Sequence, residues 1–261
     1  MEETTKIPEF RTKEDIDFMK SMYRAPKQYA GAITESTHAK LMDLWADHKD
    51  DRQFDAGGGA SLRFPYQWEE LDPIIGDTIR NLVGHDGWRF ISGRLYHIHG
   101  QKVWDRIHTD NWNMVKTKGV KAPNNKGDKL LNWLKENPQH VYKPYMTYVF
   151  PLDFSHEAST VVFDQSYWGV ESIYYNGHKD RVHQYVEGID PGYHIKEETY
   201  KKYLRHIPKD ILEGFTIKDI YDWTPGDCIS WVSPQIHVAG AMDIGWTKTG
   251  MTVWIAHKED T

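Results

Sequence analysis

Two periods of apolar residues divide the chain. In the first third, Ile16, Met19 and Tyr23 recur at spacings of three and four, and Leu41, Leu44 and Trp45 repeat that spacing after a candidate cap at Ser36 or Thr37. This is the pattern of helices that turn one face to a core. Trp68, Leu71, Ile74, Ile75, Ile79, Leu82 and Val83 form a wider stripe and predict a third helix. Between these segments, Gly57-Gly58-Gly59 and Pro65 mark a loop. The triple glycine lacks the following Gly-Lys-Ser/Thr of a phosphate loop.

From Trp88 onward β-branched and aromatic residues dominate, in runs bounded by Gly, Pro or Asp. Strands are predicted over 88–99, 102–108, 145–152, 159–163, 215–223, 228–232 and 249–257, with helical interruptions over 129–136 and 197–206. Strands and helices do not alternate, which argues against a doubly wound parallel sheet. Many short strands after a helical layer suggest a sandwich or jelly-roll barrel with helices packed on one side. The expected organisation is one domain, 1–261, with a helical layer over 1–87 and a β core over 88–261. Inserts are expected near 113–140 and 168–214.

Composition narrows the chemistry. The single Cys228 rules out an internal disulfide and any thiolate-cluster metal site, so a metal here must use nitrogen and oxygen ligands, for which 14 His are available. With 32 Lys+Arg against 38 Asp+Glu the formal charge is −6. No concentrated basic block is present, which disfavours nucleic acid as a partner. The sequence has no apolar run of about 18 residues, and its acidic start lacks the layout of a signal peptide. A cytoplasmic protein acting on a small molecule, without a membrane or nucleic-acid partner, is expected.

Alternate residues of a strand share a face, so His-x-Asp on a strand can present an imidazole and a carboxylate to one cation. Chance yields about one such tripeptide in a chain of this composition, and there are three: His48-Lys49-Asp50, His108-Thr109-Asp110 and His178-Lys179-Asp180. His48 ends a helical stretch that runs into Asp50-Asp51-Arg52, where a solvated terminus accounts for it. His178 follows Asn176-Gly177, a turn signal. Only His108 follows a strand pair, 94–100 and 102–107, with apolar chain on both sides. A further ligand must come from a distant strand. The C-terminal third offers the turn Pro225-Gly226-Asp227, then Cys228-Ile229-Ser230-Trp231-Val232, then His237, and eleven residues later Lys248 opens the last strand.

On these residues the chain resembles the iron(II)- and 2-oxoglutarate-dependent dioxygenases. The resemblance is carried by the strand run from Tyr96 to Ile107 leading into His108-Thr109-Asp110, the Pro225-Gly226-Asp227 turn before His237, and the cation at Lys248, and it covers about the last two thirds of the chain. It implies an α+β, mainly β fold with a double-stranded β-helix core, jelly-roll and cupin-like, carrying N-terminal and inserted helices. It also implies that His108, Asp110 and His237 ligate Fe(II), leaving three positions open, and that Lys248 meets the far carboxylate of 2-oxoglutarate. Lys makes a point-charge contact where the family usually has Arg, so a hydroxyl should assist, from Thr252 or Tyr145. The family's frequent Ser two positions after the cation is Gly250 here. The implied chemistry uses O2 to turn 2-oxoglutarate into succinate and CO2 while a substrate C–H is oxidised, most simply by hydroxylation.

Other residues have plainer readings beside functional ones. His97 and His99 share a strand face, but the Glu of a cupin metal set is missing, so a structural role is expected. Arg94 and Arg106 could hold substrate carboxylates or pair at the surface. Trp112 and the segment 163–168 suit a pocket wall, the Lys-rich insert 115–140 a solvated loop or a lid, and Cys228 a buried apolar position. Two alternatives remain at this point: a cupin-like isomerase or hydrolase using the same ligands without 2-oxoglutarate, and a metal-free jelly-roll binding module.

Overall fold

The structure, a computed structural model, describes Asp17, Lys20, Ser21 and residues 23–54, 59–65, 68–100, 107–110, 114–115, 141–142, 144–168 and 186–257. Residues 102–106 of the expected strand 102–108 and the expected helix 129–136 lie outside these residues, as do Ile16, Met19, Arg106, Trp112, His178 and most of the Lys-rich insert.

The chain opens with strand β1 (Lys27–Tyr29) and helix α1 (Glu35–Asp47). The cap of α1 is Thr34, whose side chain accepts from Thr37 N at 3.1 Å. The cap therefore lies two residues ahead of Ser36 and three ahead of Thr37, where it was expected, and the hydroxyl satisfies an N–H that no helical carbonyl reaches. Strands β2 (Gln53–Phe54) and β3 (Ala60–Pro65) follow. Next come α2 (Trp68–Leu71), a wider π turn (Asp72–Gly76) and α3 (Asp77–Val83). Leu71, Ile75, Ile79 and Val83 are all buried at a spacing of four. That spacing drifts by about 40° per step on an α-helix, and the wider turn at Pro73 brings the stripe back to one side. Gly84, at φ 74°, ends α3 by donating to Arg80 O.

The β core consists of β4 (Trp88–His99), the short pair β5 (Met114–Val115) and β6 (Val141–Tyr142), then β7 (Pro144–Phe154) and β8 (Ser159–Ser166). After the short helix α4 (Glu197–Thr199) come β9 (Ile217–Asp222), β10 (Cys228–Val232), β11 (Gln235–Ala239) and β12 (Thr247–His257). Among the described residues these form a seven-stranded antiparallel sheet, β1-β10-β7-β12-β4-β3-β2, and a three-stranded one, β11-β8-β9. This is the expected double-stranded β-helix. The first third is not only helical, however: β1, β2 and β3 extend the large sheet at both edges. Leu62 and Phe64 are buried on either side of exposed Arg63, a strand alternation hidden in sequence by the flanking Gly57-Gly58-Gly59 and Pro65.

Three apolar clusters define the layers. Leu95, Tyr148, Phe150, Met251 and Val253 pack under α1 and α3 on the outer face of the large sheet. Val161, Phe163, Ile236 and Val238 pack under residues 186–215 on the outer face of the small sheet. Tyr96, Val149, Val162, Tyr221, Trp223, Ile229 and Trp231 lie between the sheets. Leu41 is fully buried where α1 meets the large sheet. Leu41→Ala is expected to cost about 3 kcal/mol through lost contacts and an unfilled cavity, read as a lowered urea midpoint with the slope unchanged.

Candidate metal and dicarboxylate site

His108 and His237 face each other across an isolated antiparallel bridge: each donates its N–H to the other's carbonyl at 3.0 Å. Directly opposed residues in such a bridge put their side chains on one side of the ribbon, and the two imidazole centroids are 4.3 Å apart. Asp110 N donates to Ser233 O at 3.0 Å and brings its carboxylate to the same side. One donor atom each from His108, Asp110 and His237 fall within 4.8 Å of one another.

Each of the two buried members is held by its own partners. His237, 4% exposed, has Nδ1 at 3.0 Å from Gln235 O. A carbonyl only accepts, so Nδ1 carries the proton and Nε2 presents its lone pair to the centre. Asp110 Oδ2 accepts from Thr147 Oγ1 at 2.8 Å and from Trp231 Nε1 at 3.1 Å, and lies 3.5 Å from His237 Nε2. Burial alone would push the Asp110 carboxyl up, but the imidazoles of His237 and His108 and these two hydrogen bonds outweigh it and hold the group below its ordinary value. Asp110 is therefore a carboxylate at neutral pH. Two imidazole nitrogens and one carboxylate oxygen form a set that suits Fe(II), with positions left for other ligands.

Lys248, 3% exposed, belongs to the same interior: its Nζ sits 5.0 Å from the Trp223 ring centroid. Trp223 is placed there by the turn Thr224-Pro225-Gly226-Asp227, in which Gly226 has φ 94° and Asp227 N donates to Thr224 O at 3.1 Å. Its indole N–H donates to Thr160 Oγ1 at 3.0 Å, which fixes the ring. The ring face returns about 1–2 kcal/mol to a desolvated ammonium, and a carboxylate that reaches Nζ in such surroundings gains much more than it would in water.

Of the two hydroxyls expected to assist Lys248, Thr252 shares its strand face four residues along β12, its Cα roughly 13 Å from that of Lys248. Tyr145 packs on the outer side of the large sheet, in the cluster beneath the helices, with Arg24 nearby. The residue that sequence reasoning missed is Tyr96. It pairs with Gly250 across β4 and β12, and a Cβ built on Gly250 would lie 2.8 Å from Tyr96 Oη and 2.9 Å from the Trp223 ring. The phenol thus fills the place of a side chain at position 250. The only sequence signal is Gly250 itself, and it cannot say which strand lies alongside.

The remaining candidates stand apart. The His97 and His99 rings lie 4.8 Å apart, and His97 Nδ1 pairs with Thr249 Oγ1 at 2.8 Å on the helix side of the sheet. Burial, before the neighbouring His99, holds His97 below its ordinary value. Arg94 is half-buried, with its guanidinium 5.7 Å from the Tyr96 ring. In 163–168, Gln165 braces Gly188 O and Thr216, and Tyr167 N donates to Pro234 O, which makes the segment scaffold for the 233–237 turn. Cys228 is buried and its thiol is pushed up by that burial.

Neither a family model nor a curated protein matches the chain. Among solved structures, the non-heme α-ketoglutarate-dependent carbocyclase SnoK from nogalamycin biosynthesis is similar at 11% identity over 95% of this chain and 85% of that one, with TM-score 0.48. HygX from Streptomyces hygroscopicus, solved with nickel, 2-oxoglutarate and hygromycin B, is similar at 9% identity over 96% and 89%, with TM-score 0.44. The viral collagen prolyl hydroxylase vCPH from Paramecium Bursaria Chlorella virus-1, in its 2-oxoglutarate complex, is similar at 9% identity over 90% and 96%, with TM-score 0.42. In its β-helix core and its His-x-Asp…His triad this chain resembles the iron(II)- and 2-oxoglutarate-dependent dioxygenases.

His237→Ala is expected to abolish Fe(II) binding in anaerobic equilibrium dialysis. His48→Ala, in a tripeptide of the same spelling whose ring pairs with Asp51 at the surface, is expected to leave it unchanged.

Proposed function

We propose that this chain is an iron(II)-dependent oxygenase that uses 2-oxoglutarate and O2 to oxidise an unactivated C–H of a small molecule, most simply by hydroxylation, with release of succinate and CO2. The observation that carries the reading is a single interior compartment holding both chemistries: Trp231 touches Asp110 and His237 at one end, and Trp223 and Tyr96 surround Lys248 and Gly250 at the other. A metal site alone explains the first end, and a chelating keto acid with a second carboxylate explains both.

In this reading His108, Asp110 and His237 hold iron, which when bound supplies activation of O2. Lys248 meets the far carboxylate as a point charge, and Tyr96, whose Oη lies against Gly250 two positions along the strand, is a further hydroxyl to assist it beside the expected Thr252 and Tyr145. The apolar rings between the sheets exclude water from the reacting groups. Neighbouring structures hold hygromycin B and nogalamycin RO, and a small-molecule substrate is the reading carried to this chain. Among the described residues no helix is long and apolar enough to cross a membrane, and the lone Cys228 fits a reducing cytoplasm. The 1–261 chain is taken as one catalytic unit, its helices bracing the sheet that bears Lys248.

Anaerobic mixing of the protein with Fe(II) and 2-oxoglutarate is expected to give a weak visible charge-transfer band, and supplying air with a substrate to give succinate. Absence of both sinks the reading. Lys248→Glu is expected to abolish the band at moderate cosubstrate concentration while Fe(II) binding persists. Gly250→Ala, whose methyl would collide with Tyr96 and Trp223, is expected to weaken 2-oxoglutarate binding about tenfold or more, as loss of a well-placed carboxylate contact does, with Fe(II) affinity unchanged in the same titration.

A further inference from the structure

We infer that Arg63 and Arg94 form an oxyanion site that holds a carboxylate or phosphate group of the substrate, an assignment that rests on the oxygenase reading above and names its substrate class. The two residues are direct partners on β3 and β4. Opposed residues of an antiparallel pair turn their side chains to one face of the sheet, with Cβ atoms about 5 Å apart. That face is the interior one. Leu62, Phe64 and Leu95, which alternate with the arginines, pack beneath the helices, whereas Tyr96, two residues from Arg94, lies between the sheets.

Like charges placed directly opposite each other destabilise a sheet. An oxyanion between the two guanidinium groups turns that cost into binding. The positions that flank the pair on the same face of β3 and β4 are Ser61, Pro65, Ser92 and Tyr96, none of which brings a carboxylate. Both cations are Arg, whose planar fork matches the oxygens of a carboxylate or phosphate, where Lys would offer a single point. The Arg94 guanidinium lies 5.7 Å from the centroid of the Tyr96 ring, a contact that orders the fork before a ligand arrives.

Strand register shows what such a ligand would lie beside. Arg94 is opposite Thr252, and the next interior row along β12 pairs Trp254 with Thr147, whose hydroxyl bonds Asp110. Arg94 therefore stands one row from Thr147, roughly 7 Å along the strands, and two strands away, roughly 10 Å across the sheet. Lys248 is four residues beyond Thr252 in the other direction, roughly 13 Å, so the arginines and the lysine serve different parts of the interior. Arg63 is exposed and Arg94 half-buried, and β2 pairs with β3 only at Ala60 and Ser61. The pair thus runs from the open edge of the sheet to its inner face, and a small molecule anchored there by its anion extends toward the metal residues.

The test follows two probes by NMR on the full chain under anaerobic conditions: the phosphorus line of methylphosphonate and the methyl carbon line of acetate. With the chain saturated in Co(II) and 2-oxoglutarate, at least one probe is expected to bind and to relax faster than on the same chain loaded with Zn(II), and the tighter probe tells phosphate from carboxylate. Arg63→Gln and Arg94→Gln are each expected to weaken that binding about tenfold, the loss usual for a charged hydrogen bond, and Arg94→Lys to recover only part of it. The affinity for 2-oxoglutarate, read from the visible Co(II) spectrum, is expected to be unchanged in all three. The proposal is overturned if neither probe binds, if both Gln variants bind as the parent does, or if Co(II) leaves the relaxation of the bound probe unaltered. Weaker 2-oxoglutarate binding in Arg94→Gln also overturns it, since the arginine would then serve the cosubstrate. Should Arg94→Gln fail to fold, the exposed Arg63 decides alone. A parent chain that takes up no Co(II) sinks the oxygenase reading and the substrate assignment with it, and titration of the probes without metal separates that failure from failure of the arginine pair.

Discussion

Two reciprocal backbone hydrogen bonds, His108 N–H to His237 O and His237 N–H to His108 O, tie the candidate metal site to the fold. The bridge joins the chain leaving β4, in the large sheet, to β11, in the small one. It fixes the separation of the two imidazoles because opposed residues of an antiparallel pair have no other side to turn to. Two such bonds contribute only about 1 kcal/mol each, so the bridge persists through its neighbours: Asp110 N to Ser233 O, Ser233 N to Tyr145 O and Tyr167 N to Pro234 O. These bonds meet in the turn Ser233-Pro234, which carries no ligand and holds all three in place.

The second organising constraint is the two-residue period of β12, central in the large sheet between β7 and β4. Met251 and Val253 face the helices, and Lys248, Gly250 and Thr252 face the interior, so one strand supplies both core and site. A slip of one residue would bury Met251 among the site groups and put Lys248 beneath α1. The helical layer therefore bears on the register of the candidate site. Leu41, Ile75, Ile79 and Val83 hold the face that sets the register of β12.

How much of this was legible in the sequence follows from the range of each interaction. The helices, most strands and the choice of His108-Thr109-Asp110 over His48 and His178 rest on local period and flanking turns, which a single sequence displays. Pro225-Gly226-Asp227 was readable because Gly226 needs a positive φ at a known place in the turn. What escaped depends on strands separated by many residues. Tyr96 meets Gly250 because β4 pairs with β12 in one register, and Thr147 meets Trp231 because β7 pairs with β10. Thr252 and Tyr145 were read from strand position alone, and the surroundings of Tyr145 depend on how β7 packs beneath the helices. The cap at Thr34 and the strand β3 were missed for a more local reason, since glycine, proline and a run of hydroxyl residues fit more than one boundary.

Burial of Asp110 and Lys248 in one compartment has a cost, and how that cost is met explains the character of the interior. Apolar residues of the same volume would make a more stable core than charged groups held out of water. The chain instead places polar donors or an aromatic face beside each charge: Thr147 and Trp231 at Asp110, Trp223 at Lys248. These groups are rigid because each also packs in the cluster between the sheets or on the strand beside it. Folding thus bears the desolvation and ordering that a flexible site would have to bear at the moment of binding. Donors and acceptors fixed before any ligand arrives are the condition under which electrostatic interactions serve binding and not reorganisation.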